Sequence, residues 1–272
     1  MATSGILRGS TSGGKRKPYL APHSKLTVNE NKTFCLDFGN TRLKLALFEN
    51  DVLRDVIFLR DDPQQHLREL LAAHRPARSI LSSVVHHDPE IEALLAAQTH
   101  FHRLSNASRL AFTIPVGKPE TMGADRLAVA AAAVDLFPGA NNLAITLGTC
   151  ITFNFINTKG EFLGGSISPG MEMRFRAMHE YTAKLPLVKG EWNVPLIGYD
   201  TATNLQSGVV LGMAREIDGI IDSYKERFGN FNALLTGGDG PIITPHLKNR
   251  IFADPELIFK GLYAISRVNT DF

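Results

Sequence analysis

The chain has 272 residues, of which 44% are hydrophobic and 21% charged, and its formal net charge is +2. That is the balance of an ordinary globular protein, long enough to bury about three quarters of its unfolded surface without staples. It argues against a nucleic-acid binder, which would be strongly basic, and no apolar run approaches the ~20 residues of a membrane span.

Residues 1–31 are rich in Ser, Gly, Lys and Pro and read as a disordered leader. Arg8, Lys15, Arg16, Lys17 and Lys25 all precede the first acid, Glu30, so the positive excess is local and the remainder is slightly acidic. Order is predicted from Thr33. Two apolar runs, Phe34–Leu36 and Leu43–Phe48, flank Gly39–Asn40 as the arms of a hairpin. A third strand follows near Val52–Leu59, a helix over 64–74 and a buried strand over Ser79–Val85. A second helix is predicted over 88–97, with Asp88 as its N-cap and Pro89 at its first position. The Ala-rich stretch 123–137 is a third helix, ended by Pro138–Gly139.

Residues 143–156 then repeat the opening device: an apolar strand, a glycine turn, an alternating strand. Gly164–Gly170 reads as a compact loop leading into a helix over 171–181. A long helix is expected over 203–227, a strand ending in the glycine loop of 236–240, and a terminal helix over 255–266. The fold class is therefore α/β in two similar halves: residues 32–138 and 139–272, after the 1–31 leader. Cys35 and Cys150 lie in apolar runs without a CxxC pair, which reads as core cysteines in a reducing, cytoplasmic compartment.

Three glycine turns at strand ends suit a phosphate-bearing ligand. At the first, Asp37 closes a buried strand, where a carboxylate is costly unless paired or set against a cation. Gly39 permits close backbone approach, and Asn40, Thr41 and Lys44 add donors for phosphate oxygens. Gly148–Thr149 and Gly237–Gly238 form the other two. No GxxxxGK[ST] or strand-following GxGxxG occurs. Asp125, at the start of the Ala-rich helix, reads either as a first-turn acid favoured by the macrodipole or as a general base beside an arginine, Arg126, that grips an anion. The pairs His86–His87 and His100/His102 read as solvated.

DFGNTRLKLALF at 37–48, MGADR at 122–126, LGTCITFNFINTKGEFLGGSISPGM at 147–171, YTAKLP at 181–186 and LLTGGDG at 234–240 stand in one order that resembles the type III pantothenate kinases. The resemblance implies two actin-like, ribonuclease H-like domains with ATP in the cleft between them. It implies phosphorylation of pantothenate, the first step towards coenzyme A. It puts Asp37 at Mg²⁺ and the phosphates, and Gly39, Asn40, Thr41, Lys44, Gly148 and Thr149 on phosphate. Asp125 becomes the general base, with Gly123, Ala124 and Arg126 lining the pantothenate site. It also implies a homodimer in which Thr182 reaches the partner's pocket, with no nucleic acid or membrane involved. Most members carry Asp where this chain has Thr146 and Asn154. Those acids are linked to a monovalent cation, K⁺ or NH₄⁺, so that site loses its carboxylates here. A non-catalytic nucleotide- or pantothenate-binding regulatory protein on the same fold is the alternative.

Overall fold

The computed structural model describes residues 29–115 and 117–269, so the stretch read as a leader lies outside the described residues except for its last three. The first half runs β1 (Asn29–Phe38), β2 (Leu43–Glu49), β3 (Val52–Phe58), α1 (Pro63–His74), β4 (Pro76–Ser83), α2 (Pro89–Gln98) and β5 (His100–Arg103). α3 (Ala124–Leu136) leads to the second half: β6 (Asn142–Leu147), β7 (Cys150–Ile156), β8 (Phe162–Pro169), α4 (Met171–Glu180), α5 (Thr201–Phe228), β9 (Asn232–Thr236), α6 (Gly240–Ile243), β10 (Phe252–Ala253) and α7 (Leu257–Asn269).

The sheet orders are β3-β2-β1-β4-β5 and β8-β7-β6-β9-β10, one order used twice. In each, the first three strands form an antiparallel meander and the last two join in parallel. This is the duplicated actin-like α/β arrangement.

Strand alternation builds the layers. Phe34, Leu36 and Phe38 point outward to Leu67 and Leu71 of α1 and Ile91 and Leu95 of α2. Cys35, Ala46 and Ile80 point inward, onto α3 and α7. The second sheet turns Ala144, Ile156 and Leu234 to the same helical layer, and Phe153, Phe155 and Ile145 outward to α5. Two helices thus lie between two sheets, and the run Ala130–Ala133 lets them approach closely. A Cβ on Gly261 of α7 would stand 1.8 Å from Ala128 O.

The helix starts follow from their caps. Asp62 accepts from Gln65 N–H and Asp88 from Glu90 N–H, each ahead of a proline. Asp200 and Thr203 form a reciprocal capping box at α5.

Four readings change. Residues 164–169 are not a loop but most of edge strand β8, because β7 pairs with them through Cys150↔Pro169 despite their two glycines. β5 and β10 were not expected, being only four and two residues long. Two histidines are not solvated: the His87 side chain is buried, bonded to Ser83 and to Glu92 at 2.9 Å, and His102 Nε2 lies 2.7 Å from Ser108 Oγ. Both serve packing. Cys35 is buried as expected, but Cys150 is only half-buried.

Candidate active site

Asp37 is the penultimate residue of β1 and the register partner of Lys44 on β2. The loop between them is closed by Gly39 N–H donating to Arg42 O at 3.2 Å. Alternation that sends Phe38 outward sends Asp37 inward, towards the start of α3. Burial raises its carboxyl pKa to about 6, the Lys44 ammonium opposing and Asp125 adding to the rise. Ser82, its parallel neighbour on β4, is fully buried with an unpartnered hydroxyl. Asn40 and Thr41 stand exposed at the tip of the turn.

α3 begins at Ala124 with Gly123 as N-cap. A Cβ on Gly123 would stand 2.5 Å from Asp125 Oδ1, so the carboxylate folds back over its own helix start and glycine makes room for it. The next residue, Arg126, donates from Nε to Asn154 Oδ1 at 2.6 Å, and its guanidinium lies 5.6 Å from the Phe162 ring centre. Burial pulls the Arg126 pKa below the usual arginine value, with Asp125 and Tyr224 of α5 opposing.

At the matching end of the second sheet, Gly148 and Thr149 form the β6–β7 turn, both exposed. Two other segments press on it through bare backbone. A Cβ on Gly170 would be 2.0 Å from Gly148 O, and one on Gly237 would be 2.0 Å from Leu147 O. The N-terminus of α4 and the 237–240 loop are thereby brought to this turn. Asp239 there has its pKa raised by burial, Met171 N–H opposing and Glu172 adding.

The structure thus brings Asp37, Lys44 and Asp125 together at one end of the first sheet, while the next residue, Arg126, turns to Asn154 and Phe162 of the second sheet. Gly123 and Ala124 belong to the same helix start. Thr182 stands apart: its exposed hydroxyl donates to Met178 O at 2.6 Å, in the chain that leaves α4. The partnership of Asn154 with Arg126 was missed from the sequence. Its only available signal was the period-2 alternation that puts residues 152 and 154 on the inner face of β7.

A divalent cation carried on phosphates fits Asp37, a half-buried carboxylate whose charge is costly without one. Among the described residues no group of three His, Cys, Asp or Glu forms a metal cage. The Thr146 and Asn154 positions offer no carboxylate to a monovalent cation. Thr146 Oγ1 bonds Thr152 Oγ1 at 2.7 Å, and the amide oxygen of Asn154 already faces a guanidinium.

Two halves of one strand order, closed on a shared helical layer, define the actin-like class that includes acetate kinase, sugar kinases, Hsp70 and actin. Residues 33–223 match the family model described as type III pantothenate kinase, and the chain belongs to that family. It is 40% identical over 235 residues to a type III pantothenate kinase of Cytophaga hutchinsonii, covering 86% of this chain and 98% of that one. It is 39% identical over 236 residues to one of Christiangramia forsetii, covering 86% and 97%. Among solved structures, a Campylobacter jejuni protein described as a Baf family transcriptional activator superposes with a TM-score of 0.56 at 19% identity, over 86% of this chain and 97% of that one, a likeness of fold.

Proposed function

We propose that the chain transfers the γ-phosphoryl group of ATP to the terminal hydroxyl of pantothenate, giving 4′-phosphopantothenate, as a cytoplasmic homodimer. The observation that carries this reading is the meeting of Asp37, at the first phosphate turn, with Asp125 at the start of α3, where Arg126 follows as the next residue.

Phosphoryl transfer needs positioning, charge neutralisation and a group that orients the nucleophile. Gly39, Asn40, Thr41 and Lys44 take phosphate oxygens from one half, and Gly148 and Thr149 take them from the other. Asp37 would hold Mg²⁺ through the phosphates, and that ion supplies charge neutralisation there. Arg126 takes the pantothenate carboxylate, and Gly123 and Ala124 line the pocket beside it. Asp125 accepts the hydroxyl proton as the hydroxyl oxygen bonds to Pγ. The bond from Pγ to the bridging oxygen of ADP breaks, and ADP leaves.

The dimer reading rests on the segment between α4 and α5. It has no helix or strand, yet it is held in place: Gln206 Nε2 donates to Lys189 O at 2.9 Å, and His246 Nε2 lies 2.8 Å from Trp192 O. On this fixed base Tyr181 is 87% exposed, and Leu196, Ile197 and Tyr199 are each 81% exposed. So large an apolar surface on an ordered segment is the mark of a contact face. Thr182 lies within it, as a residue offered to the partner's pocket would.

The neutral Thr146–Thr152 pair favours a second reading, a binding protein without turnover on the same fold. Purified protein with ATP, Mg²⁺ and pantothenate, with and without K⁺, decides. Phosphopantothenate followed by mass in both conditions is the expected result. Pantothenate binding without product from folded protein would establish the second reading.

A further inference from the structure

A chain of side-chain hydrogen bonds runs along the inner face of the second sheet and ends on Arg126. It starts at Thr146 and Thr152, register partners on β6 and β7 whose hydroxyl oxygens lie 2.7 Å apart. Asn154 Nδ2 donates to Thr152 Oγ1 at 2.9 Å and to Ala144 O at 3.1 Å. Its Oδ1 accepts from Arg126 Nε at 2.6 Å. Asn154 is 0% exposed.

The orientation of this amide is fixed. A flip would set the amide oxygen against Ala144 O and the NH₂ against the Nε–H of Arg126, two repulsions in place of two bonds. The Asn154 oxygen is thus aimed at a single donor, and it is uncharged. It anchors the guanidinium through its ε edge, and the guanidinium lies over the Phe162 ring at 5.6 Å. The two terminal nitrogens keep their donors and the group keeps its full charge.

We propose that Asn154 is the positioning residue for Arg126: it holds the guanidinium by Nε so that the terminal nitrogens form a two-pronged fork towards the carboxylate end of the substrate. This rests on the reading of Arg126 as the carboxylate-binding residue. Asn154 itself is sealed from substrate and acts only through the arginine.

The test uses the full chain with ATP and pantothenate. Asn154→Ala should raise the KM for pantothenate about tenfold or more while kcat and the KM for ATP stay within about twofold. Asn154→Leu, of similar volume but without the oxygen, should do the same, which separates the effect from a cavity. Asn154→Asp keeps an oxygen at the same place and should regain most of the loss. Adding Asn154→Ala to Arg126→Ala should change nothing further. The Nε–H resonance of Arg126, assigned by its loss in Arg126→Ala, should be protected from solvent exchange in the wild type and unprotected in Asn154→Ala and Asn154→Leu. A wild-type KM in Asn154→Ala beside a raised KM in Arg126→Ala overturns the proposal. So does an equal further loss in the double variant. A protected Nε–H that responds to Asn154, with pantothenate KM unchanged in Arg126→Ala, would instead overturn the carboxylate-binding reading beneath it, and the substrate role of Asn154 with it.

Discussion

Asp37 and Thr146 occupy the same place in two copies of one hairpin. Each stands two residues before the glycine that opens its turn, Gly39 or Gly148, and each points to the inner face of its sheet. Their antiparallel partners are Lys44 and Thr152, and their parallel neighbours are Ser82 and Thr236. The duplication has kept the backbone and divided the chemistry. The first copy holds a carboxylate and an ammonium, and the second holds hydroxyls that bond one another. Of the two hairpins, therefore, only the first places charge on its inner face at these positions.

Asp125→Asn should lower kcat by about 10²–10⁴, the usual contribution of a positioned base, and leave the melting temperature within a few degrees. Steady-state kinetics beside a thermal melt checks both. A near-normal rate would remove Asp125 from the proton transfer.

Asp37→Asn should separate stability from function. Burial, with Asp125 adding and Lys44 opposing, lifts the Asp37 pKa from 3.8 to about 6. The unfolded chain gives up this proton first, so stability that is full below the unfolded pKa is lost as pH rises through the folded value. Without nucleotide and metal, the asparagine variant should be more stable than wild type at pH 8 by about 1–2 kcal/mol, the full shift being discounted for partial exposure, and equal to it near pH 3. Equal melts at pH 8 would show that the carboxylate is not strained. Turnover should be lost in either case.

Gly123→Ala should act on Asp125 alone. The backbone there, at φ −64° and ψ 143°, accepts alanine, but the new methyl would meet Asp125 Oδ1 at 2.5 Å. The carboxylate must rotate away, which should lower kcat about 10- to 100-fold with little loss of stability. A kcat within twofold of wild type would mean that the carboxylate has room to return.

Much of this was legible in the sequence, and the limits are physical. Hydrophobic periodicity placed the two hairpins, α1, α3 and α5, because each buries one face over many residues. The caps at Asp88 and Pro89 were readable because a capping interaction is local. β8 was not, since two glycines weaken local strand preference and only pairing with β7 holds them extended. The link from Asn154 to Arg126 spans 28 residues and depends on how α3 crosses the second sheet, which no local pattern records. The solvated reading of His87 failed for the same reason: its partner Ser83 is close in the chain, but the Phe38 ring that packs on its edge, 5.4 Å between centres, comes from another strand.

Leu196→Asp with Ile197→Asp should convert the proposed homodimer to a monomer, because two carboxylates would be placed at positions 81% exposed on the apolar surface of the segment between α4 and α5. Sedimentation at several concentrations would show it, and pantothenate turnover should fall with the loss of the partner's Thr182. A variant that stays dimeric would place the contact elsewhere.

α7 gives the chain an order of assembly. Its Leu257, Phe259, Leu262 and Ile265 share one apolar cluster with Cys35, Ala46 and Ile80, so a helix from the end of the described chain covers strands from its beginning. As the chain emerges from the ribosome, the first half can pair its strands and dock α1 and α2, but its inner face is covered by α3 alone until residues 257–269 arrive. A nascent chain halted before them would carry a partly open sheet face for a chaperone to hold, and the docking of α7 would be the event that closes both halves at once.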